Sequence, residues 1–127
     1  MTDWGQILAV LLVTGGVVVL WQALRRQGLV SEAEAHRLLA AGARVVDVRS
    51  PAEFERAHLP DVINVPLDAL RTGIAEACPD RAVPVLLHCH SGGRSGIARM
   101  MLRRAGYSQA HNLGSYARAQ RILSGRT

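Results

Sequence analysis

The 127-residue sequence contains no lysine, so all fifteen of its basic side chains are arginines. Aromatic residues make up only 4% of the chain, and two cysteines are too few for a small disulfide scaffold. An apolar content of 49% excludes the composition of a disordered protein. The length is that of one domain, and the net charge is +5. These averages describe a single basic domain, but the charges are unevenly distributed.

Charge is absent from the 21 residues between Trp4 and Leu24. As a helix, this segment would be about 31 Å long, close to the thickness of a bilayer's hydrocarbon core. Arg25 and Arg26 follow it and no basic residue precedes it, which predicts that the rest of the chain faces the cytoplasm. We therefore expect residues 1–26 to form a retained single-pass membrane anchor, in the inner membrane if the source is bacterial. A buried core helix and a cleaved signal peptide are the alternatives.

Residues 27–127 alternate short β-branched runs with segments that carry helix start and stop signals. Ser31 and Glu34 form a capping-box pattern at the start of a helix that should stop at Gly42. The alternation predicts an α/β domain with a mainly parallel sheet, whose functional site lies beyond the carboxyl ends of the strands. The predicted strands cover 44–48, 62–65, 83–88 and 111–113, and the predicted helices cover 31–41, 51–54, 67–78, 95–105 and 115–123.

One predicted loop has the residues for chemistry, because His88 to Ser95 follows a buried strand and opens a helix. Two glycines allow the backbone to curl with its N–H groups around Cys89, and the helix adds the positive end of its dipole. Arg94 adds a fixed charge suited to an oxyanion. Each feature favours a thiolate over a thiol, so we predict a nucleophilic sulfur inside an anion-binding loop. The alternative is a small buried cysteine beside an ordinary turn.

These motifs resemble those of a single-domain rhodanese, a sulfurtransferase module, over residues 30–123. The loop pattern of that family, Cys-x-x-Gly-x-Arg-Ser, is matched by Cys89, Gly92, Arg94 and Ser95. Three upstream segments are also similar to the family pattern: Asp47-Val48-Arg49, Glu53-Phe54, and Ala57 to Pro66. The chain departs from the pattern at Ala57, Asp61 and Val62, where the family usually has Gly, Gly and Ala. Near the C-terminus, Leu113-Gly114-Ser115 replaces a leucine followed by more glycines, and the usual tryptophan is missing.

The resemblance implies a five-stranded, mainly parallel sheet covered by helices on both faces. It also implies that Cys89 takes a sulfur from thiosulfate or a similar anionic donor and passes it, as a persulfide, to a thiol or protein acceptor. Arg94 and Arg49 would contact the donor, and Asp47 would support the loop or Arg49. No metal and no cofactor are expected. The backbone N–H groups that would hold the persulfide belong to His90, Ser91, Gly92, Gly93, Arg94 and Ser95.

Several alternatives stay open. Phosphatases and arsenate reductases of related fold place five residues between cysteine and arginine, whereas four separate Cys89 from Arg94 here. A membrane-tethered binding module with little catalysis is a second alternative. His88 and His90 flank the cysteine, but consecutive residues of an extended segment point to opposite sides, which argues against a metal site. Cys78 is expected to be a bystander, with a resolving role as the alternative.

The last third of the chain has no acidic residue after Asp80. Its arginines could form solvated helix faces, attract anionic sulfur donors or contact anionic lipid headgroups. The scarcity of aromatic residues argues against nucleic acid, so no such partner is expected. The eight arginines are Arg81, Arg94, Arg99, Arg103, Arg104, Arg118, Arg121 and Arg126.

Overall fold

Residues 3–125, the part of the chain that the computed structural model describes, form six α-helices and four β-strands. Arg126, one of the basic residues counted above, lies outside this range. A short 3-10 turn at Leu67–Ala69 precedes the fourth helix. The elements are, in chain order, α1 (Trp4–Arg26), α2 (Glu32–Ala40), β1 (Arg44–Asp47), α3 (Pro51–Arg56), β2 (Ile63–Asn64), α4 (Leu70–Ala77), β3 (Val85–His88), α5 (Gly93–Arg104), β4 (Ala110–Gly114) and α6 (Tyr116–Ser124).

The sheet has the strand order β2-β1-β3-β4, and every neighbouring pair is parallel. The four strands predicted from the residues are confirmed, whereas the fifth strand implied by the family resemblance is wrong for residues 3–125. Beside β4 there is only a single bridge, between Leu29 and Asn112. The segment available there is short, because α1 continues to Arg26 and Ser31 already caps α2. Residues 27–30, between these helices, therefore pair with β4 through this one bridge and do not extend into a strand.

Helices cover both faces of the sheet, as expected. Side chains of a strand point alternately to its two faces, so each strand contributes to two apolar layers. One layer packs α4 and α5 on the sheet, and the other packs α2 and α6 on the opposite face. The first includes Val46, Val48, Leu70, Ile74, Leu87 and Leu102, and the second includes Leu38, Val45, Leu86, Leu113, Ala119 and Ile122.

The helix caps differ from the prediction in one respect. Ser31 Oγ accepts a hydrogen bond from the Glu34 N–H at 3.1 Å, but the Glu34 carboxylate pairs with Arg37 instead of reaching back. A complete capping box occurs at α3 instead. There the Ser50 side chain accepts from the Glu53 N–H at 3.2 Å, and Glu53 Oε1 accepts from the Ser50 N–H at 3.2 Å. The cap therefore fixes the carboxylate of Glu53.

The departures from the family pattern are accommodated locally. Asp61, in place of a glycine, has a φ of 61°, in the left-handed region that aspartate tolerates better than most residues. Ala57, in place of another glycine, has an extended backbone with a φ of −163°. Alanine adopts that conformation without strain.

Helix α1 is long and apolar enough to cross a membrane by its length and composition, and none of its residues is buried. That exposure excludes the alternative of a core helix for α1. A membrane anchor and a signal sequence are both compatible with it. The large apolar side chains of its first five turns are exposed, including Leu8, Leu12 and Val19.

Candidate active site

Cys89 lies directly after β3, at the carboxyl edge of the sheet, and is fully buried. Its backbone N–H donates to the Gly114 carbonyl at 3.2 Å, and its Sγ accepts a hydrogen bond from the Gly92 N–H at 3.0 Å. Gly92 has a φ of +97°, and its N–H points to the sulfur. Residues other than glycine rarely adopt this backbone conformation. The loop therefore holds the sulfur with a backbone donor.

The start of α5 supplies further donors beside this sulfur. The first N–H groups of a helix have no partner within the helix. Among the hydrogen bonds of residues 3–125, none uses the N–H of Gly93, Arg94 or Ser95. Together with the positive end of the helix dipole, these groups can stabilise an anion at Cys89.

Arg94 forms a bidentate ion pair with Glu53, with N–O distances of 2.7 and 3.0 Å. The hydrogen bonds from Arg94 are the largest cause that lowers the pKa of Glu53 to about 2. The pKa of Arg94 is raised, mainly by Glu53 and to a smaller extent by Cys89 and Asp47. The capping box of α3 thus fixes the partner of the loop arginine. Sequence reasoning missed this role of Glu53, although its pairing with Ser50 in a cap was a readable signal.

Asp47 and Arg49 form a buried pair at the end of β1. Arg49 donates to the Asp47 carboxylate at distances down to 2.7 Å and to the Ala57 carbonyl at 2.7 Å, and its guanidinium lies 4.7 Å from the centre of the Tyr116 ring. The pKa of Arg49 is raised, with the hydrogen bonds to Asp47 as the largest cause. The contact of Arg49 with an anionic donor stays a prediction, since this residue is only 6% exposed. The Asp47 carboxylate holds this arginine.

Asn112, in β4, joins the loop to its surroundings and is fully buried. Its Oδ1 accepts from Ser95 Oγ at 2.7 Å and from the Gly114 N–H at 2.9 Å. Its Nδ2 donates to the carbonyls of Gly92 and Arg25, at 3.2 and 3.1 Å. Ser95 Oγ in turn lies 3.5 Å from Cys89 Sγ. Sequence reasoning missed Asn112, although a lone amide inside a predicted buried strand demands such partners.

The outer side of the loop packs against the last turns of α1. A Cβ on Gly93 would lie 2.4 Å from the Trp21 ring, and a Cβ on Gly96 would lie 1.9 Å from the Leu24 carbonyl oxygen. Arg25 Nε donates to the Ser91 carbonyl at 2.8 Å. The glycines of this segment therefore allow a close approach of α1 as well as the turn around the sulfur.

The two histidines beside Cys89 occupy different surroundings. His88 is fully buried, and burial is the largest cause that lowers its pKa. The side chain of His90 is exposed, while its carbonyl accepts from the Tyr116 N–H at 3.0 Å. Cys78 is buried elsewhere in the core, where burial raises the pKa of its thiol. Among residues 3–125, no three His, Cys, Asp or Glu side chains are arranged to hold a metal ion.

Fold and site together define an α/β protein with a buried cysteine in a loop of backbone N–H groups at the carboxyl edge of a parallel sheet. Residues 31–119 match the model of the rhodanese-like domain. The chain belongs to this family. Its relatives include proteins named as sulfurtransferases.

Two curated relatives illustrate the similarity. Thiosulfate sulfurtransferase PspE of Escherichia coli is 36% identical over 69 residues, which are 54% of this chain and 66% of PspE, just under two thirds of its length. The chloroplastic thiosulfate sulfurtransferase 16 of Arabidopsis thaliana is 37% identical over 100 residues, with coverage of 69% of this chain and 82% of the relative.

Solved structures of sulfurtransferases and rhodaneses have a similar fold. The human single-domain sulfurtransferase TSTD1 superposes with a TM-score of 0.64 and 27% identity, over 79% of this chain and 98% of TSTD1. A rhodanese from E. coli with anions superposes with a TM-score of 0.59 and 32% identity, over 61% of this chain and 91% of that protein.

Proposed function

We propose that this protein is a membrane-anchored sulfurtransferase in which Cys89 carries a sulfur as a persulfide. The donor would be a small anion such as thiosulfate, and the acceptor a thiol or a protein. The observation that supports this most directly is the Gly92 N–H on Cys89 Sγ at 3.0 Å, in a loop whose next three N–H groups have no other partner among residues 3–125. The names of the relatives agree with this activity.

In the first step, the Cys89 thiolate attacks the outer sulfur of thiosulfate. A new S–S bond forms at Cys89 while the S–S bond of thiosulfate breaks, and its electron pair leaves with sulfite. The persulfide that remains has a negative terminal sulfur, which the N–H groups of Gly93, Arg94 and Ser95 can stabilise. Donors fixed in advance need no reorganisation during the reaction, which is why the loop geometry matters.

In the second step, an acceptor thiolate attacks the terminal sulfur of the persulfide. The S–S bond at Cys89 breaks, and its electron pair restores the Cys89 thiolate. Neither step needs a general base once the thiolate has formed. The Asp47 carboxylate, which is engaged by Arg49, accordingly has a supporting role in this proposal.

We further propose that residues 1–26 are a retained anchor and that residues 27–127 form a domain facing the cytoplasm. The exposed apolar surface of α1 supports the anchor, and Arg25 and Arg26 at its domain end support the orientation. Retention is supported by the contacts of Trp21 and Arg25 with the loop, which cleavage would remove.

Mass spectrometry of the full chain, purified in detergent micelles and incubated with thiosulfate, tests the chemistry. We expect the gain of one sulfur on Cys89, its removal by cyanide or a thiol, and no gain in Cys89→Ala. Cys78→Ser is the matched control and should still gain the sulfur. A folded sample that gains none would contradict the proposal and favour the binding module, and aryl phosphate turnover lost in Cys89→Ser would favour phosphatase chemistry.

Protease treatment of membranes from expressing cells tests the anchor. We expect the full chain in the membrane fraction after a high-salt wash, with its domain digested only from the cytoplasmic side. A domain recovered without residues 1–26, or digested from the opposite side, would overturn the anchor or its orientation.

A further inference from the structure

A cavity of about 240 Å³ lies where the end of α1, the outer side of the sulfur loop and the start of α6 meet. Its charged lining consists of three arginines, Arg25 and Arg26 from α1 and Arg118 from α6. Ser91 and Ser115 line it as well, and no carboxylate does. The cavity is therefore shaped by three separate parts of the chain and is positively charged.

The charges of these arginines are not neutralised by acidic side chains among residues 3–125. Arg25 donates to the Ser91 carbonyl, and Arg118 donates to the carbonyls of Leu113 and Val30 at 2.8 and 2.5 Å. Such neutral partners orient a guanidinium without compensating its charge, and a guanidinium has five N–H donors in total. Burial and the neighbouring Arg121 lower the pKa of Arg118, although Glu32 partly opposes this effect. An anion in the cavity would relieve this excess of charge.

The position of the cavity indicates the source of that anion. Arg25 and Arg26 are in the last turn of α1, directly after the apolar segment. In a chain anchored through α1, this turn lies at the depth of the phospholipid headgroups, where arginines contact lipid phosphates. Arg118 comes from the folded domain, so a ligand between it and Arg26 would touch both the anchor and the domain.

We propose that this cavity binds the phosphate of an anionic phospholipid headgroup, an inference that rests on the membrane anchor proposed above. Inorganic phosphate and thiosulfate offer similar oxygens, but a lipid is held beside the cavity by the same bilayer that holds α1. The effective concentration of its phosphate there exceeds that of a free anion. The bound headgroup would fix the domain against the bilayer at a second point.

Native mass spectrometry of the full chain tests this site, with micelles containing equal amounts of phosphatidylglycerol and phosphatidylcholine. We expect preferential retention of one phosphatidylglycerol. Arg26→Gln should reduce that retention about fivefold, the effect expected for one interfacial arginine. Arg26 is exposed, and its side chain makes no hydrogen bond within residues 3–125, so this variant should unfold at the wild-type temperature. Arg118→Lys, which keeps the charge but loses the planar fork, should also weaken retention.

Arg121→Gln is the matched control, since Arg121 is on the same helix as Arg118, is 63% exposed and lies outside the cavity. It should retain the lipid as the wild type does. Equal retention of the two lipids, or an equal loss in Arg121→Gln and Arg26→Gln, would overturn the proposal. Displacement of phosphatidylglycerol by inorganic phosphate at equal concentration would also overturn it, because the site would then be one for free anions.

Flotation with vesicles separates this proposal from that of the anchor. A chain that floats with phosphatidylcholine vesicles, and whose variants do so equally, is anchored whatever its headgroup preference. If the chain floats with no vesicle, the proposal of an anchor is wrong, and the proposed lipid site loses its basis.

Discussion

The segment from Cys89 to Gly96 has two sides with opposite requirements. On the side of the sulfur, the N–H groups of Gly93, Arg94 and Ser95 are unused within residues 3–125, so that an anion can take them. On the side of α1, the backbone is closed off so tightly that a single methyl group on Gly96 would collide with a carbonyl oxygen. This contrast indicates that unused donors need a rigid support, because donors held in place cost less to use than donors that must reorganise.

The largest effect should come from changing the sulfur side alone. Cys89→Ser should reduce sulfur transfer from thiosulfate by on the order of a thousandfold or more, because the hydroxyl cannot replace the thiolate as nucleophile. The midpoint of thermal unfolding in micelles should change little, because the side chain keeps its size. Transfer can be measured as thiocyanate formed from thiosulfate and cyanide, with Cys78→Ser as the control that retains activity.

Asn112→Ala should affect both sides at once. The change removes the hydrogen-bond partner of the Gly114 N–H and of the Arg25 carbonyl, and one of the partners of the Ser95 hydroxyl, at a cost of about 3 kcal/mol in the free energy of unfolding. We also expect slower persulfide formation per folded molecule, since the loop loses its support. Thermal unfolding measures the loss of stability, and rapid mixing with thiosulfate measures the rate of persulfide formation.

Gln109→Ala, at an exposed position just before β4, is the control for that variant. It should leave both values near those of the wild type. If Asn112→Ala lowered stability but left the rate of persulfide formation unchanged, the link between the two sides of the loop would be wrong.

Gly96→Ala should affect the side of α1. Its Cβ would lie 1.9 Å from the Leu24 carbonyl oxygen, so α1 and α5 must move apart, at a cost of about 2 kcal/mol. Gly16→Ala is a matched control, since no atom lies within 4 Å of a Cβ there. Comparison of the two unfolding midpoints measures the contact between α1 and the domain. Equal midpoints would show that the contact contributes nothing to stability.

The smallest effect should come from the rim of the site, through Glu53→Gln. Glutamine can keep the cap of α3 but loses the ion pair with Arg94, so we expect a loss of about 1 kcal/mol or less at neutral pH. The pKa of Glu53 is about 2 in the folded protein, below its ordinary 4.5. The stabilisation by the pair is therefore complete above pH 4.5 and is lost as the pH falls towards 2.

Unfolding midpoints of the wild type and Glu53→Gln, measured from pH 7 to pH 2, should accordingly converge at the acidic end. Glu55→Gln, an exposed change in the same helix, should show no such convergence. A constant difference between the wild type and Glu53→Gln over this range would mean that the ion pair does not cause it.

Local patterns were sufficient to predict much of the fold. Strands such as 44–48 and the loop around Cys89 depend on residues adjacent in sequence, and the structure has them within a few positions of the predicted bounds. The partner of Glu34 was predicted wrongly because Arg37, one turn further along the helix, competes for the same carboxylate. The absence of a fifth strand from residues 3–125 has a similar origin, since the extent of α1 decides how many residues remain before α2.

Contacts between distant segments could not be predicted in the same way. Glu53 and Arg94 are 41 positions apart, and Asn112 and Arg25 are 87 apart. The local pattern around each residue does not identify its partner, because the first pair depends on how α3 lies relative to α5 and the second on how α1 lies relative to β4. For the same reason the glycines of the loop were interpreted as turn residues alone, and their contact with α1 was missed.

The joint between α1 and the sheet has a mechanical consequence. Only Gln27 separates the end of α1 from Gly28, whose carbonyl accepts from the Asn112 N–H at 2.9 Å. Because the connection is this short and α1 also packs against Gly93 and Gly96, we expect the helix and the domain to turn together. If α1 is the membrane anchor proposed above, it would tilt in a bilayer thinner than its apolar length, and the domain would turn with it. Bilayer thickness would then set the direction in which the sulfur site meets its acceptors.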